Sequence, residues 1–554
     1  MKKAVADALR SKQKKSFAEI LDLVISGSFL LIVLIVILRF IWGPERGLFN
    51  SDWGDTLLWA EATANSGKLL DPDFHYACFL PFGGNLIMLP GIWLFGLSLK
   101  AQMFGMTLFL VLFTSLLILT LKEATDMPWT RAMNGAALVL SVLCISSKVR
   151  EMFWGHIIYY SLGCFYLMLL FCMYSLVNKD DRIPFFDTRN ARDIVKYVLF
   201  CLAFVLAAGN GTTIISMASL PVLGGCFAVQ MMDPDGFTRS AANRKKWFLI
   251  LSEVVCTILG ILLFAVLTSG MDAPYQNGNS VFSPTDTWFN HVGMLVESFC
   301  QLFGVSTSED INLFSKEGIV ILFEAVFMVI LWISDIILLI RYRKISGERT
   351  KLFLCAGILM EALLLLVWIV GVVNAVYWRL TPLLFLFLTE TVLLIWELYR
   401  EKISRRWSVV LMIPFVICAI YSLRDTQSIE RDIYYHDDSE QVLEYLEEND
   451  LRFGYAEYWT AIRAMVYSGD RIQIAPVNFS SGSVAPRLYQ SDRDWYQPVD
   501  GCERYFLIMT SSEYGEYRDQ DAAFLEDAVA TERINSSFYV LTYDYYMVAE
   551  ISER

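Results

Sequence analysis

Two carboxylates, Asp52 and Asp55, stand three residues apart in Asn50-Ser51-Asp52-Trp53-Gly54-Asp55-Thr56-Leu57-Leu58-Trp59-Ala60-Glu61. On a helix that spacing puts both on one face, with Trp59 one turn further along. A carboxylate within hydrogen-bond reach of a reacting hydroxyl can serve as a general base. The same residues also have a structural role open to them: Ser51 or Asp52 can cap a helix, with Asp55 favourable in its first turn. A second polar cluster lies in Trp154-Gly155-His156-Ile157-Ile158-Tyr159-Tyr160, which sets an imidazole and two phenols at one level, as ligand contacts or as an interfacial anchor. His75 and His291 read as loop residues. The 11 cysteines form no disulfide framework, and only Cys78, Cys300 and Cys502 fall in aqueous segments. No metal-type ligand spacing and no cofactor are implied, although an Asp pair can hold a divalent cation through waters.

The elements around these residues are mostly membrane. Hydrophobic residues make up 55% of the 554, charged residues 19%, and the formal net charge is −13. This composition describes a polytopic membrane protein. From Arg424 onward the chain carries a net −15 and no Lys, leaving about +2 for everything before it. An acidic tail argues against nucleic acid and anionic lipid surfaces as partners.

In chain order, residues 1–16 form a basic cytoplasmic N-terminus, and the long apolar run from Phe17 to Trp42 is a retained span rather than a signal peptide. Residues 43–100 form a first external loop, ending in Leu86–Leu99, a run broken by Pro90-Gly91 and too short to cross. Treating that run as re-entrant lets Lys and Arg alternate correctly between the later loops. The expectation is about 11 transmembrane helices over residues 17–423, among them Ala132–Ser147, with the fifth and sixth (Tyr197–Ala208 and Thr213–Met232) short and kinked around Asn210-Gly211. The acidic loop and the C-terminal part share the external side. Residues 424–554 read as a small extracytoplasmic α/β domain. It is expected to hold helices at Ser439–Asn449, Tyr458–Tyr467 and Ala522–Ala530, and strands at Arg452–Tyr455, Arg471–Ala475, Arg504–Met509 and Phe538–Leu541. Within it, Gly454–Thr460 is rich in aromatics, as packing or as a binding platform.

This plan resembles the multispanning GT-C glycosyltransferases, among them the protein O-mannosyltransferases and the lipid A aminoarabinose transferase. Asp55-Thr56-Leu57-Leu58-Trp59-Ala60 matches the family's Asp and Ala, with Trp59 for its aromatic and Thr56 for its Glu; Ser66-Gly67 also matches. Leu80-Pro81-Phe82-Gly83-Gly84 and Phe95-Gly96-Leu97-Ser98 fall where the Pro-rich and Phe-Gly elements lie. Tyr377-Trp378-Arg379-Leu380-Thr381-Pro382 looks like the family's opening of a late span. The resemblance implies sugar transfer from a polyprenyl-phosphate carrier to an envelope glycan, lipid or protein acceptor at the outer face of the cell membrane. Asp55, or Asp52 in its place, would be the base. The leaving phosphate needs positive charge, for which Arg379, Arg150, Lys148 and Lys68 are the candidates, beside His156, Tyr159, Tyr160 and Trp59. Each of the four cations also fits an ordinary boundary charge, Arg379 by snorkelling.

Two other classes compete. Glu361 and Glu390 fall near the middle of apolar runs, where carboxylates are costly and functional; paired, they would suit a lipid-oligosaccharide transporter or flippase with a proton relay. The third class is an inactive envelope scaffold with a sugar-binding tail.

Overall fold

A chain crossing hydrocarbon must satisfy its own backbone hydrogen bonds, and in the computed structural model the apolar runs do so as helices. The structure describes residues 2–275, 281–305, 311–345, 347–372, 376–431, 438–480 and 483–549, with side chains from residue 17. Among the described residues nine helices are long and apolar enough to cross a bilayer, from Phe17–Trp42 to Arg405–Ser428. The protein is a multi-pass membrane protein. Several long helices start at a serine cap: Ser98 accepts from Ala101 N, Ser240 from Asn243 N and Ser315 from Gly318 N.

Thr213–Met232, expected to be short, is among the nine as Thr212–Met232; the difference from the expected 11 lies in Ala132–Ser147 and Tyr197–Ala208. Both are helices, but Trp129–Val142 has only 14 residues, and Ala191–Ala208 opens with Arg192, Asp193 and Lys196. Both nevertheless pack inside the bundle, through Ala136, Ala137 and Val139 in one and Phe200 and Phe204 in the other. The kink expected at Asn210-Gly211 is present: Gly211 has φ +80°, a conformation open to glycine. Asn210 also works structurally, its Oδ1 accepting from Phe82 N at 2.9 Å, while Tyr166 Oη donates to Phe82 O at 2.7 Å. These two bonds hold the Pro81–Gly84 turn against the bundle.

The run read as re-entrant forms a 12-residue helix, Gly84–Phe95. At 1.5 Å per residue it spans roughly 18 Å, too little to cross. It lies between helices Asp55–Ser66 and Leu99–Thr125. Gly91 permits the second contact, since a Cβ there would stand 2.7 Å from Ala101 O.

Beyond the last span the pattern changes from period 3.6 to period 2. Strands β2 (Phe453–Ala456), β3 (Gln473–Phe479), β4 (Val484–Pro486), β6 (Tyr505–Thr510), β7 (Ala530–Arg533) and β8 (Phe538–Tyr543) form one sheet in the order β4-β3-β2-β6-β8-β7. β2 runs parallel to β3 and β6; the other pairs are antiparallel. The helix expected over Ala522–Ala530 shrinks to Ala523–Glu526, because the segment after it turns back to pair with β8. Helix Tyr458–Ser468 packs over β3.

This region is sewn to the first loop. β1 (Phe74–His75) pairs with β5 (Ser491–Asp492) in antiparallel register. Ser51 Oγ donates to Tyr458 O at 2.9 Å, and Trp59 Nε1 donates to Gln490 Oε1 at 2.7 Å, both in buried surroundings. His75 therefore sits on a strand, beside Asp272 and Arg493. His291, expected in a loop, is buried within helix Trp288–Leu302 and its Nδ1 lies 2.8 Å from Ile369 O.

Trp59→Phe keeps an aromatic ring but removes the donor that satisfies Gln490. An unpaired buried acceptor costs about 1–3 kcal/mol, so the thermal midpoint of the detergent-purified protein is expected to fall by several degrees. An unchanged midpoint would show that this bond does not hold the C-terminal region to the loop.

Candidate functional site

The acidic stretch begins with a single turn, Ser51–Gly54, capped by the Asn50 side chain, which accepts from Trp53 N. Asn50 takes the role that Ser51 or Asp52 was expected to fill. Ser51 instead reaches Tyr458 O and Trp459 O. That frees the Asp52 carboxylate, which accepts a hydrogen bond from Tyr458 Oη at 3.1 Å. Asp55 opens the next helix, Asp55–Ser66, where a negative charge suits the helix dipole.

A buried glutamine aligns this turn with the second cluster. Gln102 Nε2 donates to Gly155 O at 2.6 Å and Trp53 O at 3.3 Å. Gly155 packs closely there: a Cβ would stand 3.0 Å from the Trp53 ring. The result brings His156 Nδ1 within 3.1 Å of Asp52 O. A carbonyl only accepts, so Nδ1 carries the hydrogen and Nε2 presents a lone pair. That Nε2 is buried and has no partner among the described residues.

The wall beyond His156 carries the cations. Lys148 Nζ pairs with Glu151 at 2.6 Å and lies 4.5 Å from the centre of the Trp378 ring. Tyr159 Oη donates to Tyr160 Oη at 3.4 Å, and the Arg379 guanidinium stands beside Tyr160. Arg379 is half-buried and pairs with no carboxylate among the described residues. The C-terminal region closes the third side with Tyr458, Tyr489 and Gln490. Arg487, paired with Glu457 at 2.6 Å, lies over both tyrosine rings at 4.8 and 5.6 Å. Gln490 is fully buried with φ +52°, an unfavourable conformation for a non-glycine residue that concentrates at functional sites.

Burial governs the protonation of the site. It pushes the Asp55 carboxyl well above its ordinary range; the Asp52 charge adds to this, while Gln490 and Tyr458 pull the other way. Asp52 is also raised by burial, against the pull of His156 and Tyr458. Burial lowers His156 and raises the Cys78 thiol, which feels the Asp55 charge as well. Asp55 thus holds its proton to a higher pH than Asp52, and a neutral His156 does not cancel the Asp52 charge.

Of the residues singled out in the sequence, Asp52, Asp55, Lys148, His156, Tyr159, Tyr160 and Arg379 come together here. Trp59 lies one turn from Asp55, but its buried indole serves as the anchor for Gln490. Arg150 points away: it bonds Asp425 at 2.8 Å and Cys144 O at 2.7 Å, tying its turn to helix Arg405–Ser428. Lys68 is exposed beyond Gly67, at the far end of the Asp55–Ser66 helix. Tyr458, Tyr489, Gln490 and Gln102 were not identified from the sequence as site residues. A signal existed for Gln102, a lone amide in an apolar helix, and for Tyr458, within the aromatic Gly454–Thr460 stretch.

No protein-family profile and no curated protein sequence matches the chain. Solved structures do. The oligosaccharyltransferase of Archaeoglobus fulgidus in its apo form is similar with TM-score 0.50 at 10% identity, over 91% of this chain and 73% of that one. The same enzyme tethered to an acceptor peptide containing the NVT sequon gives TM-score 0.50 at 11% identity, over 91% and 72%. ArnT from Cupriavidus metallidurans bound to undecaprenyl phosphate gives TM-score 0.43 at 12% identity, over 94% and 97%. The chain has the GT-C fold.

A carboxylate raised in the folded state binds more protons there than in the unfolded chain. Its contribution to stability is therefore present at low pH and is lost as pH rises through the raised pKa. Asp55→Asn removes that loss. Its thermal midpoint is expected to exceed wild type at pH 8, with the gain shrinking toward pH 4. A midpoint below wild type at pH 8 would mean that Asp55 is held ionised by partners.

Proposed function

We propose that this protein is a membrane glycosyltransferase that moves a sugar from a polyprenyl-phosphate carrier to an envelope acceptor on the extracytoplasmic face. The observation that carries the reading is the Asp52 carboxylate. It is released from capping by Asn50, lies beside a neutral histidine, and faces a wall whose Arg379 has no acidic partner among the described residues. The shared fold with an oligosaccharyltransferase supports the same class of chemistry.

Asp52 is the base of the two, because Asp55 keeps its proton to a higher pH. Asp52 takes the proton of the acceptor hydroxyl or amine as that atom bonds to the anomeric carbon. The bond from that carbon to the phosphate oxygen breaks, and polyprenyl phosphate leaves with the electron pair. Arg379 and Lys148 hold the phosphate, with the hydroxyls of Tyr159 and Tyr160 beside it. Lys148 brings less free charge than Arg379, since Glu151 already neutralises it. His156 Nε2 accepts from a sugar hydroxyl. Asp55 stands beside Gln490 and Tyr458, which act on its carboxyl. The Gly84–Phe95 helix walls the groove for the lipid tail. Asp52 and Asp55 lie on the extracytoplasmic side because the basic Lys179–Lys196 and Arg239–Lys246 loops belong in the cytoplasm.

The test is transfer in membranes supplied with labelled polyprenyl-phosphate sugars. Asp52→Asn is expected to reduce transfer by about 100-fold or more, the scale of a lost general base, at unchanged protein level. Arg379→Ala should raise KM for the donor, with partial recovery in Arg379→Lys. Arg150→Lys should lower the thermal midpoint more than the donor KM changes. Full activity in Asp52→Asn would overturn the assignment of the base. Inactivity of the wild type across several polyprenyl-phosphate donors would overturn the reading itself.

A further inference from the structure

Three carboxylates meet inside the helical bundle, away from the site described above. Asp335, Glu361 and Glu390 come from the successive helices Lys316–Ile340, Glu348–Val370 and Thr381–Arg400. Each offers an oxygen, and these oxygens all lie within 4.8 Å of one another. All three side chains are buried, Glu390 completely. Glu390 Oε1 and Oε2, Glu361 Oε1 and Asp335 Oδ1 have no hydrogen-bond partner among the described residues. No basic side chain among the described residues pairs with any of the three.

The neighbouring helix makes room for the arrangement. A Cβ at Gly357 would stand 2.3 Å from Glu390 Oε1, so only glycine leaves space for that carboxyl where it is. Three negative charges in so apolar a place are not tolerated without compensation. A set made only of carboxylate oxygens selects a hard cation, because no thiolate or imidazole is present to favour a soft one. Oxygens that share one calcium-sized cation at roughly 2.4 Å each stand no further than about 4.8 Å apart, and these three lie within that limit. A divalent cation together with one retained proton brings the cluster to neutrality.

We propose that Asp335, Glu361 and Glu390 form a divalent-cation site of the Ca²⁺, Mg²⁺ and Mn²⁺ class that clamps three membrane helices together. The third of these helices begins at Thr381, just past the Tyr377–Leu380 turn that carries Arg379, so Glu390 lies about three turns, roughly 16 Å, along the chain from Arg379. The clamp fixes the helix on which the phosphate-holding wall stands. The proposal does not depend on sugar transfer and is tested without it.

The experiment is binding of Mn²⁺ to the detergent-purified full chain, followed by electron paramagnetic resonance, with thermal midpoints measured in EDTA and in excess Ca²⁺. Asp52→Asn/Asp55→Asn serves as the reference that removes any ion at the external acids. Wild type and this reference are both expected to bind one Mn²⁺ that Glu390→Gln and Glu361→Gln do not. Ca²⁺ should raise the midpoint of the first two only. In EDTA, Glu390→Gln should melt at or above wild type, because it removes repulsion; this shows that the variant folds. Gly357→Ala retains all three carboxylates yet should weaken Mn²⁺ binding about tenfold or more. Equal Mn²⁺ binding by wild type and Glu390→Gln would overturn the proposal. So would a midpoint that rises on acidification but is indifferent to Ca²⁺, the behaviour of three carboxyls neutralised by protons alone.

Discussion

Placing Asp52 and Asp55 three residues apart, both largely withdrawn from water, costs free energy that an apolar surrounding does nothing to offset. The rest of the site is built around that constraint. Asn50 relieves Asp52 of capping, Tyr458 donates to its carboxylate, and Gln490 and Tyr458 pull against the upward shift of Asp55. Burial pushes both acids up, and the Asp52 charge adds to the shift of Asp55. Environments that separate two otherwise alike carboxyl groups in this way assign them different roles.

The geometry is fixed by contacts distant in sequence. Gln102 joins the carbonyls of Trp53 and Gly155 and thereby sets Asp52 against His156. The C-terminal region adds Tyr458, Tyr489 and Gln490, and is itself held by the β1–β5 pair and the Trp59–Gln490 bond. It forms a side of the site rather than an appendage. Glu361 and Glu390, which raised a transport pathway as an alternative, sit with Asp335 in a closed cluster between helices.

Much of this was legible in the sequence. Apolar runs longer than a bilayer announced the spans, the broken run at Pro90-Gly91 announced a helix that does not cross, and polar residues at the ends of apolar runs marked the level of the site. What was hidden depends on direction. Lys148 and Arg150 are two residues apart on one short helix, so about 200° separates their side chains; one faces the site and the other ties down Asp425. Linear spacing does not distinguish them before the neighbouring helix is placed. The capping role passed from Ser51 and Asp52 to Asn50 for a similar reason, since Ser51 is occupied by the distant Tyr458 and Trp459 carbonyls. The 14-residue and charge-opened helices at Trp129–Val142 and Ala191–Ala208 show that a bundle can bury runs that length and composition alone do not qualify as spans.

The division of roles between the two acids is tested most directly by the pH dependence of kcat/KM for sugar transfer in wild type and Asp55→Asn. With Asp52 as the base and Asp55 protonated, both proteins should lose activity on the acid side, along a limb whose midpoint lies above the ordinary carboxylate range. A limb that disappears in Asp55→Asn, or activity that stays level down to pH 4 in the wild type, would contradict it.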